Sequence, residues 1–365
     1  MTLKRFAGSL VTLALALAAG ALHGQAVVSS FTDIGTLGGT LSYASGINDA
    51  GEVVGWSEPA DYDSEQAFLY SGGGMTNIDY LPTLGIGSAM VGTTINNAGQ
   101  YTIDYHEMIF SSLGEFTTDS VLLIPGNFGH ADTPLDTLGA PYVYGHAVNS
   151  SGEIAGYGLT FDATYNAFLH SGGSAGFNDN GNTTSLGTLG GPNSYGYGIN
   201  DAGEVVGAAE IAGGFPYLHA FLYTNGTMTD LGTLGGLTSQ ANGLNAVGEV
   251  VGNSTYNLTA SEHAFFYADG TMYDLNTLAA AYLSNGSTPG FVSLDSATAI
   301  NNLGQIIGQG TYRDDSGTDY SRAYLLTVEV PEPAAGAAIL GAAVLGWVGW
   351  KRGARRGKSA GGEMK

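Results

Sequence analysis

The chain has 365 residues, enough for one large domain or two ordinary ones with an ample core, and it contains no cysteine. A disulfide scaffold, a thiolate zinc site, a cysteine nucleophile and an iron–sulfur cluster are thereby excluded. The formal net charge is -22, and between Arg5 and Lys351 the only basic residues are Arg313 and Arg322. Such a body repels nucleic-acid phosphates and anionic polymers, and leaves divalent cations or basic groups as charged partners.

Residues 1–26 carry the three parts of a secretory signal. Lys4 and Arg5 form a positive start, residues 6–22 are apolar and rich in Leu and Ala, and Gly24-Gln25-Ala26 offers cleavage after Ala26.

Residues 27–329 form a repeat. Its clearest phrase is Gly46-Ile47-Asn48-Asp49-Ala50-Gly51-Glu52-Val53-Val54-Gly55, which returns as Gly198-Ile199-Asn200-Asp201-Ala202-Gly203-Glu204-Val205-Val206-Gly207. Looser copies centre on Asn96, Asn149, Asn245 and Asn301, so that neighbouring copies are separated by 45 to 56 residues. The pattern predicts a hairpin: an apolar strand reaches an Asn, a polar turn follows, Gly supplies positive φ, and a Val/Ile strand returns. These Asn and Asp residues are placed by turn geometry rather than as calcium ligands.

Two further phrases complete the unit. Gln66-Ala67-Phe68, Asn166-Ala167-Phe168, His219-Ala220-Phe221, His263-Ala264-Phe265 and Arg322-Ala323-Tyr324 form a third strand. Thr229-Asp230-Leu231-Gly232-Thr233-Leu234-Gly235-Gly236, with relatives at residues 31–39, 182–191 and 272–278, forms a fourth. The His-Ala-Phe and Asp-Leu-Gly-Thr-Leu-Gly-Gly phrases resemble the HAF family of extracellular repeats. That resemblance spans most of residues 31–328 and implies an extracellular location, with no established chemistry. The second unit departs most from it, with Glu107-Met108-Ile109-Phe110 and a long insertion.

Four short strands in about 40–50 residues make one propeller blade. The body opens on a lone fourth strand and closes on a lone third strand. Joining them would close a ring and pair two exposed edges. The expected fold is therefore all-β, a six-bladed β-propeller of four-stranded blades, followed by a single C-terminal transmembrane helix.

No catalytic motif stands out. Gly-Thr-Leu-Gly-Gly lacks the Lys-Ser/Thr of a phosphate loop and reads as a turn between blades. His219 and His263 share one strand position with Gln66, Glu107, Asn166 and Arg322, a set too mixed for a metal centre. The acidic clusters Asp61-Tyr62-Asp63-Ser64-Glu65, Asp179-Asn180-Gly181-Asn182 and Asp314-Asp315-Ser316-Gly317-Thr318-Asp319 allow weak Ca²⁺ binding, but none is a twelve-residue calcium loop. No cofactor, catalytic or metal residue is assigned.

After the body, Pro331-Glu332-Pro333 precedes an apolar segment at 334–350, near the lower length for a spanning helix, and a basic tail at 351–356 containing Lys351, Arg352, Arg355 and Arg356. In this order the three parts resemble the PEP-CTERM sorting signal of Gram-negative bacteria, over residues 330–356. The resemblance implies a membrane exosortase as partner, transient inner-membrane anchoring with the body in the periplasm, and delivery to the cell surface or extracellular matrix. The function expected is a non-catalytic binding or structural module, with surface polysaccharide or protein as partners and no nucleic acid. The alternative is an extracellular propeller enzyme acting on glycans or peptides.

Overall fold

A computed structural model of the protein describes residues 26–61, 65–78, 90–99, 101–105, 119–124, 127–129, 143–160, 162–171, 182–213, 217–257 and 261–330. The signal at 1–25, the sorting motif, the apolar segment and the basic tail lie outside them. Among the described residues, no helix is long and apolar enough to cross a membrane.

The repeated Asn-to-Gly phrases fold as hairpin turns held by one side chain. Asn48 Oδ1 accepts the backbone N–H groups of Ala50 and Glu52, at 3.1 and 2.9 Å. Its Nδ2 donates to Glu52 Oε2 at 2.8 Å. The Gly51 N–H closes the turn onto the Asn48 carbonyl at φ 76°, a conformation that strains any residue with a Cβ. The same bonds recur at Asn149, Asn200, Asn245 and Asn301, with Gln305 replacing the glutamate in the last.

Each hairpin is the first half of a four-stranded antiparallel sheet. A lone strand comes first, β1 (Val27–Asp33). Sheet one is β2 (Gly38–Ile47), β3 (Val53–Pro59), β4 (Gln66–Ser71) and β5 (Gly74–Asn77). Sheet two is β6 (Met90–Ile95), β7 (Tyr101–Tyr105), β8 (Asp119–Ile124) and β9 (Asn127–Gly129). Sheet three is β10 (Val143–Val148), β11 (Ile154–Leu159), β12 (Tyr165–Ser171) and β13 (Asn182–Gly187). Sheet four is β14 (Gly190–Ile199), β15 (Val205–Ile211), β16 (Leu218–Thr224) and β17 (Thr227–Gly232). Sheet five is β18 (Gly235–Leu244), β19 (Val250–Tyr256), β20 (Glu262–Ala268) and β21 (Thr271–Asp274). Sheet six holds β22 (Gly290–Ile300), β23 (Gln305–Arg313) and β24 (Asp319–Glu329), and β1 completes it by pairing with β24.

The architecture is thus all-β and propeller-like. First strands of neighbouring sheets touch: β2 with β6, β10 with β14, β14 with β18, β18 with β22, and β22 with β2. They therefore form the inner edge. Small residues permit this approach: a Cβ on Gly46 would lie 2.9 Å from the Thr94 Cα. The core fills the spaces between sheets. Ala155, Ala167 and Leu186 of sheet three meet Val205, Ala209 and Phe221 of sheet four. Val206, Ala220 and Leu231 of sheet four meet Ala241, Val250 and Phe265 of sheet five.

The Val-Val-Gly and Ala-Phe phrases fit one another across strands two and three. Gly55, Gly156, Gly207 and Gly252 lie opposite Phe68, Phe168, Phe221 and Phe265, and Gly308 opposite Tyr324. A Cβ at Gly207 would stand 1.9 Å from the Tyr195 carbonyl oxygen and 2.9 Å from the Phe221 ring, so this glycine is required by close approach.

The Gly-Thr-Leu-Gly-Gly segment carries the chain from one sheet to the next. Gly232 takes φ 77°, Thr233 Oγ1 donates to the Gly236 carbonyl at 2.9 Å, and Leu234 bridges to Tyr256. One copy departs from the expected strand at residues 272–278. There β21 stops at Asp274, and α1 (Leu275–Leu278) follows, capped by the Asp274 carboxylate on the Asn276 N–H. Asn276 stands where Gly232 stands in the fourth sheet. Without glycine at the positive-φ position, the chain takes a helical turn instead.

Candidate functional site

Among the residues singled out in the sequence, Ala26 is described and is buried, whereas Pro331, Glu332, Pro333, Lys351, Arg352, Arg355 and Arg356 lie outside the described residues. The shared position before Ala-Phe is resolved as a set of cross-strand pairs. His219 Nδ1 lies 3.0 Å from Asp230 Oδ2, and His263 Nδ1 lies 3.1 Å from Asp274 Oδ2. In the same place Asn77 donates to Gln66 at 2.7 Å, and Arg322 donates to Asp33 at 3.2 Å. Gln66, His219, His263 and Arg322 are therefore each committed to their own sheet's fourth strand. The repeat phrases change together here because the two residues face each other.

The acidic loop of β23–β24 is also engaged internally. Asp314 Oδ1 accepts from the Ser316 and Thr318 N–H groups at 2.8 and 2.9 Å, and Arg313 forms a two-point pair with Asp319 at 2.6 and 2.7 Å. Residues 62–64 and 179–181 of the other two clusters lie outside the described residues.

The sequence did not signal the feature that distinguishes the inner edge. Every first strand has a bulge at the same place, at Ser45, Thr93, His146, Tyr197, Asn242 and Thr298. Bulges break the ladder and re-aim side chains. Two residues earlier stand Tyr43, Val91, Tyr144, Tyr195, Gln240 and Ser296. None of these twelve positions is Asp, Glu, Lys or Arg.

Chemistry is divided around this edge. Sheets five and six supply amides and hydroxyls: Gln240 Nε2 donates to Asn242 Oδ1 at 2.8 Å, and Asn242 Nδ2 donates to the Ala297 carbonyl at 2.8 Å. Sheet one supplies a stacked Tyr43–Trp56 pair at 6.0 Å, and sheets three and four supply a larger ring cluster. Tyr157 of β11 lies 5.1 Å from Tyr144, 5.2 Å from His146, 5.8 Å from Tyr165 and 5.0 Å from Tyr195. His146 meets Tyr197 edge-on at 5.3 Å, and Tyr165 lies 5.7 Å from Tyr195. The contacts mix stacked, tilted and edge-on geometries, as ring quadrupoles prefer.

Burial pushes the Tyr197 phenol up to about 12, with Tyr157 and Tyr195 adding to it. Burial, then the Glu210 charge, raises Tyr195. Burial, then Tyr144 and Tyr165, raises Tyr157. These phenols thus keep their protons and stay hydrogen-bond donors across physiological pH. Behind them Asn193 ties two sheets together: its Oδ1 accepts the Tyr165 N–H at 2.8 Å and its Nδ2 donates to Glu210 Oε1 at 3.0 Å. Glu210 is only 6% exposed, and its Oε2 has no partner among the described residues.

No family model matches the sequence, and no curated protein matches it. Among solved structures, an arginine-substituted form of AofleA from Arthrobotrys oligospora is 13% identical, covering 83% of this chain and 89% of its own, with a TM-score of 0.39. A protein described as a gluconolactonase is 8% identical, covering 82% of this chain and 92% of its own, with a TM-score of 0.26. These distant likenesses carry no inference about chemistry.

Proposed function

We propose that this chain is an exported, exosortase-processed protein of the cell surface or extracellular matrix, and that its body is a six-bladed propeller serving as a non-catalytic binding module. The observation that supports the reading is the inner edge itself: neighbouring first strands whose bulged segments carry tyrosines, amides and hydroxyls in an otherwise acidic body. Such groups recognise a partner by stacking and neutral hydrogen bonds. The signal at 1–26 and the PEP-CTERM-like tail at 330–356 support the route to the surface.

The test is the triple substitution P331A/E332A/P333A in the producing cell, with the mass and location of the C-terminal segment followed. The expected result is loss of tail processing and of surface display. Unchanged processing and display would overturn the sorting reading.

A further inference from the structure

We propose that the ring cluster of Tyr144, His146, Tyr157, Tyr165, Tyr195 and Tyr197 binds a neutral saccharide chain. This deepens the binding-module reading and rests on it.

Packing does not demand aromatic residues here. At the position of Tyr144 and Tyr195, sheets five and six carry Gln240 and Ser296, and their strands still form and pair. The cluster is confined to one pair of sheets, and Tyr144 remains 47% exposed. Its rings therefore offer area to a ligand as well as to each other. The centroids of Tyr157, Tyr165 and Tyr195 lie 5.0 to 5.8 Å from one another, and Tyr144 lies 5.1 Å from Tyr157, so the rings form one compact patch. Sugar rings present C–H faces that lie on aromatic faces, and a Tyr rim adds a hydroxyl for the sugar's own hydroxyls. Tyr also loses little side-chain freedom on binding.

The charge pattern selects a neutral ligand. No Lys or Arg belongs to the cluster, and the surrounding acidic body disfavours sulfated or uronic chains. Beside it, Glu210 leaves Oε2 without a partner among the described residues, while Asn193 holds Oε1 at 3.0 Å. A buried carboxylate oxygen calls for a donor. The atom is enclosed, so Glu210 bears on a ligand only through its neighbours. Glu210 also positions Asn193, which holds the Tyr165 backbone in place.

Saturation-transfer NMR on the purified full chain tests this, with four neutral hexaoses as probes (β-1,4-gluco, α-1,4-gluco, β-1,4-xylo and β-1,4-manno) and hexagalacturonate as the charged comparator. Transfer to at least one neutral hexaose is expected, with weaker or no transfer to the uronate. Tyr195→Ala and Tyr157→Ala should raise Kd at least tenfold, and Glu210→Gln several-fold. Tyr144→Ser, at the exposed end, gives a second variant whose folding is secure, and a several-fold rise in Kd is expected there too. The proposal is overturned if no neutral hexaose binds, if the uronate binds best, or if the folded tyrosine variants bind like the parent chain. The binding-module reading fails differently: its non-catalytic part is lost if the same samples show the hexaose being shortened over time. Binding without turnover sustains both.

Discussion

The Asn301 side-chain nitrogen lies 2.9 Å from the Asn48 backbone oxygen, a partner 253 positions away in sequence. The same donation links Asn48 to Asn96, Asn149 to Asn200, Asn200 to Asn245, and Asn245 to Asn301. One turn residue therefore serves its own hairpin through Oδ1 and the next sheet through Nδ2. A second layer of bonds runs beside it, with the Ser150 N–H on Asp201, the Ala246 N–H on Asn302, and the Asn302 N–H on Asp49.

Replacing Asn301 by alanine removes these bonds and leaves buried backbone groups without partners. A loss of about 1–3 kcal/mol is expected. The urea midpoint measures it. An unchanged midpoint would show that the turn-to-turn bonds do not stabilise the packing of the sheets.

Acid should weaken closure through Asp49. Partial burial would raise its carboxyl, but the Asn302 N–H, the Asn302 side chain and the Asn97 side chain outweigh this and hold it below its ordinary value. A carboxyl lowered on folding contributes stability above its unfolded pKa, about 3.9, and that contribution is lost as pH falls through the folded value. The gap in stability between the parent chain and Asp49→Asn should therefore be flat from pH 5 to pH 8 and shrink below about pH 4. Urea unfolding across that range measures the gap, and one that widens in acid contradicts the assignment.

Two glycines should respond differently to alanine. At Gly207 the new Cβ would overlap the Tyr195 carbonyl oxygen, and a cost above about 3 kcal/mol is expected. At Gly232 an added Cβ would meet no non-neighbouring atom within 4 Å, so the cost is only that of φ 77°, about 1–2 kcal/mol. Thermal unfolding of the two variants orders them, and the reverse order would mean the strand-two glycine is not held by close approach.

Removing residues 27–36 should leave β24 with an open edge. It also strips Phe31 from Phe291 and Tyr324, at 5.4 and 6.1 Å. The expected product associates, because an exposed edge pairs with other chains. Size-exclusion chromatography against the chain beginning at residue 27 checks this. A stable monomer without β1 would show that the fold does not depend on it.

The hairpin turns and the Ala-Phe strands were legible because their geometry depends on residues close in sequence. The inter-sheet bonds were not. Ser42, Ser194 and Ser239 accept the N–H groups of Ala323, Ala167 and Ala220 from the preceding sheet. No local rule assigns a serine that role. The His219–Asp230 and His263–Asp274 pairs sit between these cases: both phrases were visible, but only strand pairing brings their side chains together. The helical turn at Leu275–Leu278 followed from one missing glycine, a signal present at Asn276 but masked by the likeness of the rest of the phrase.

By itself the sequence determined a β-rich repeat with a turn every 45 to 56 residues, a body with almost no positive charge, and a fourth strand displaced to the N-terminus. Those properties arise from backbone conformation and composition, which neighbouring residues set. Only the tertiary structure decided that Asn301 reaches Asn48, that the inner bulges align, and that tyrosines from β10, β11, β12 and β14 gather between two sheets. These depend on register and on the approach of separate sheets, where a side chain's partner lies dozens or hundreds of residues away.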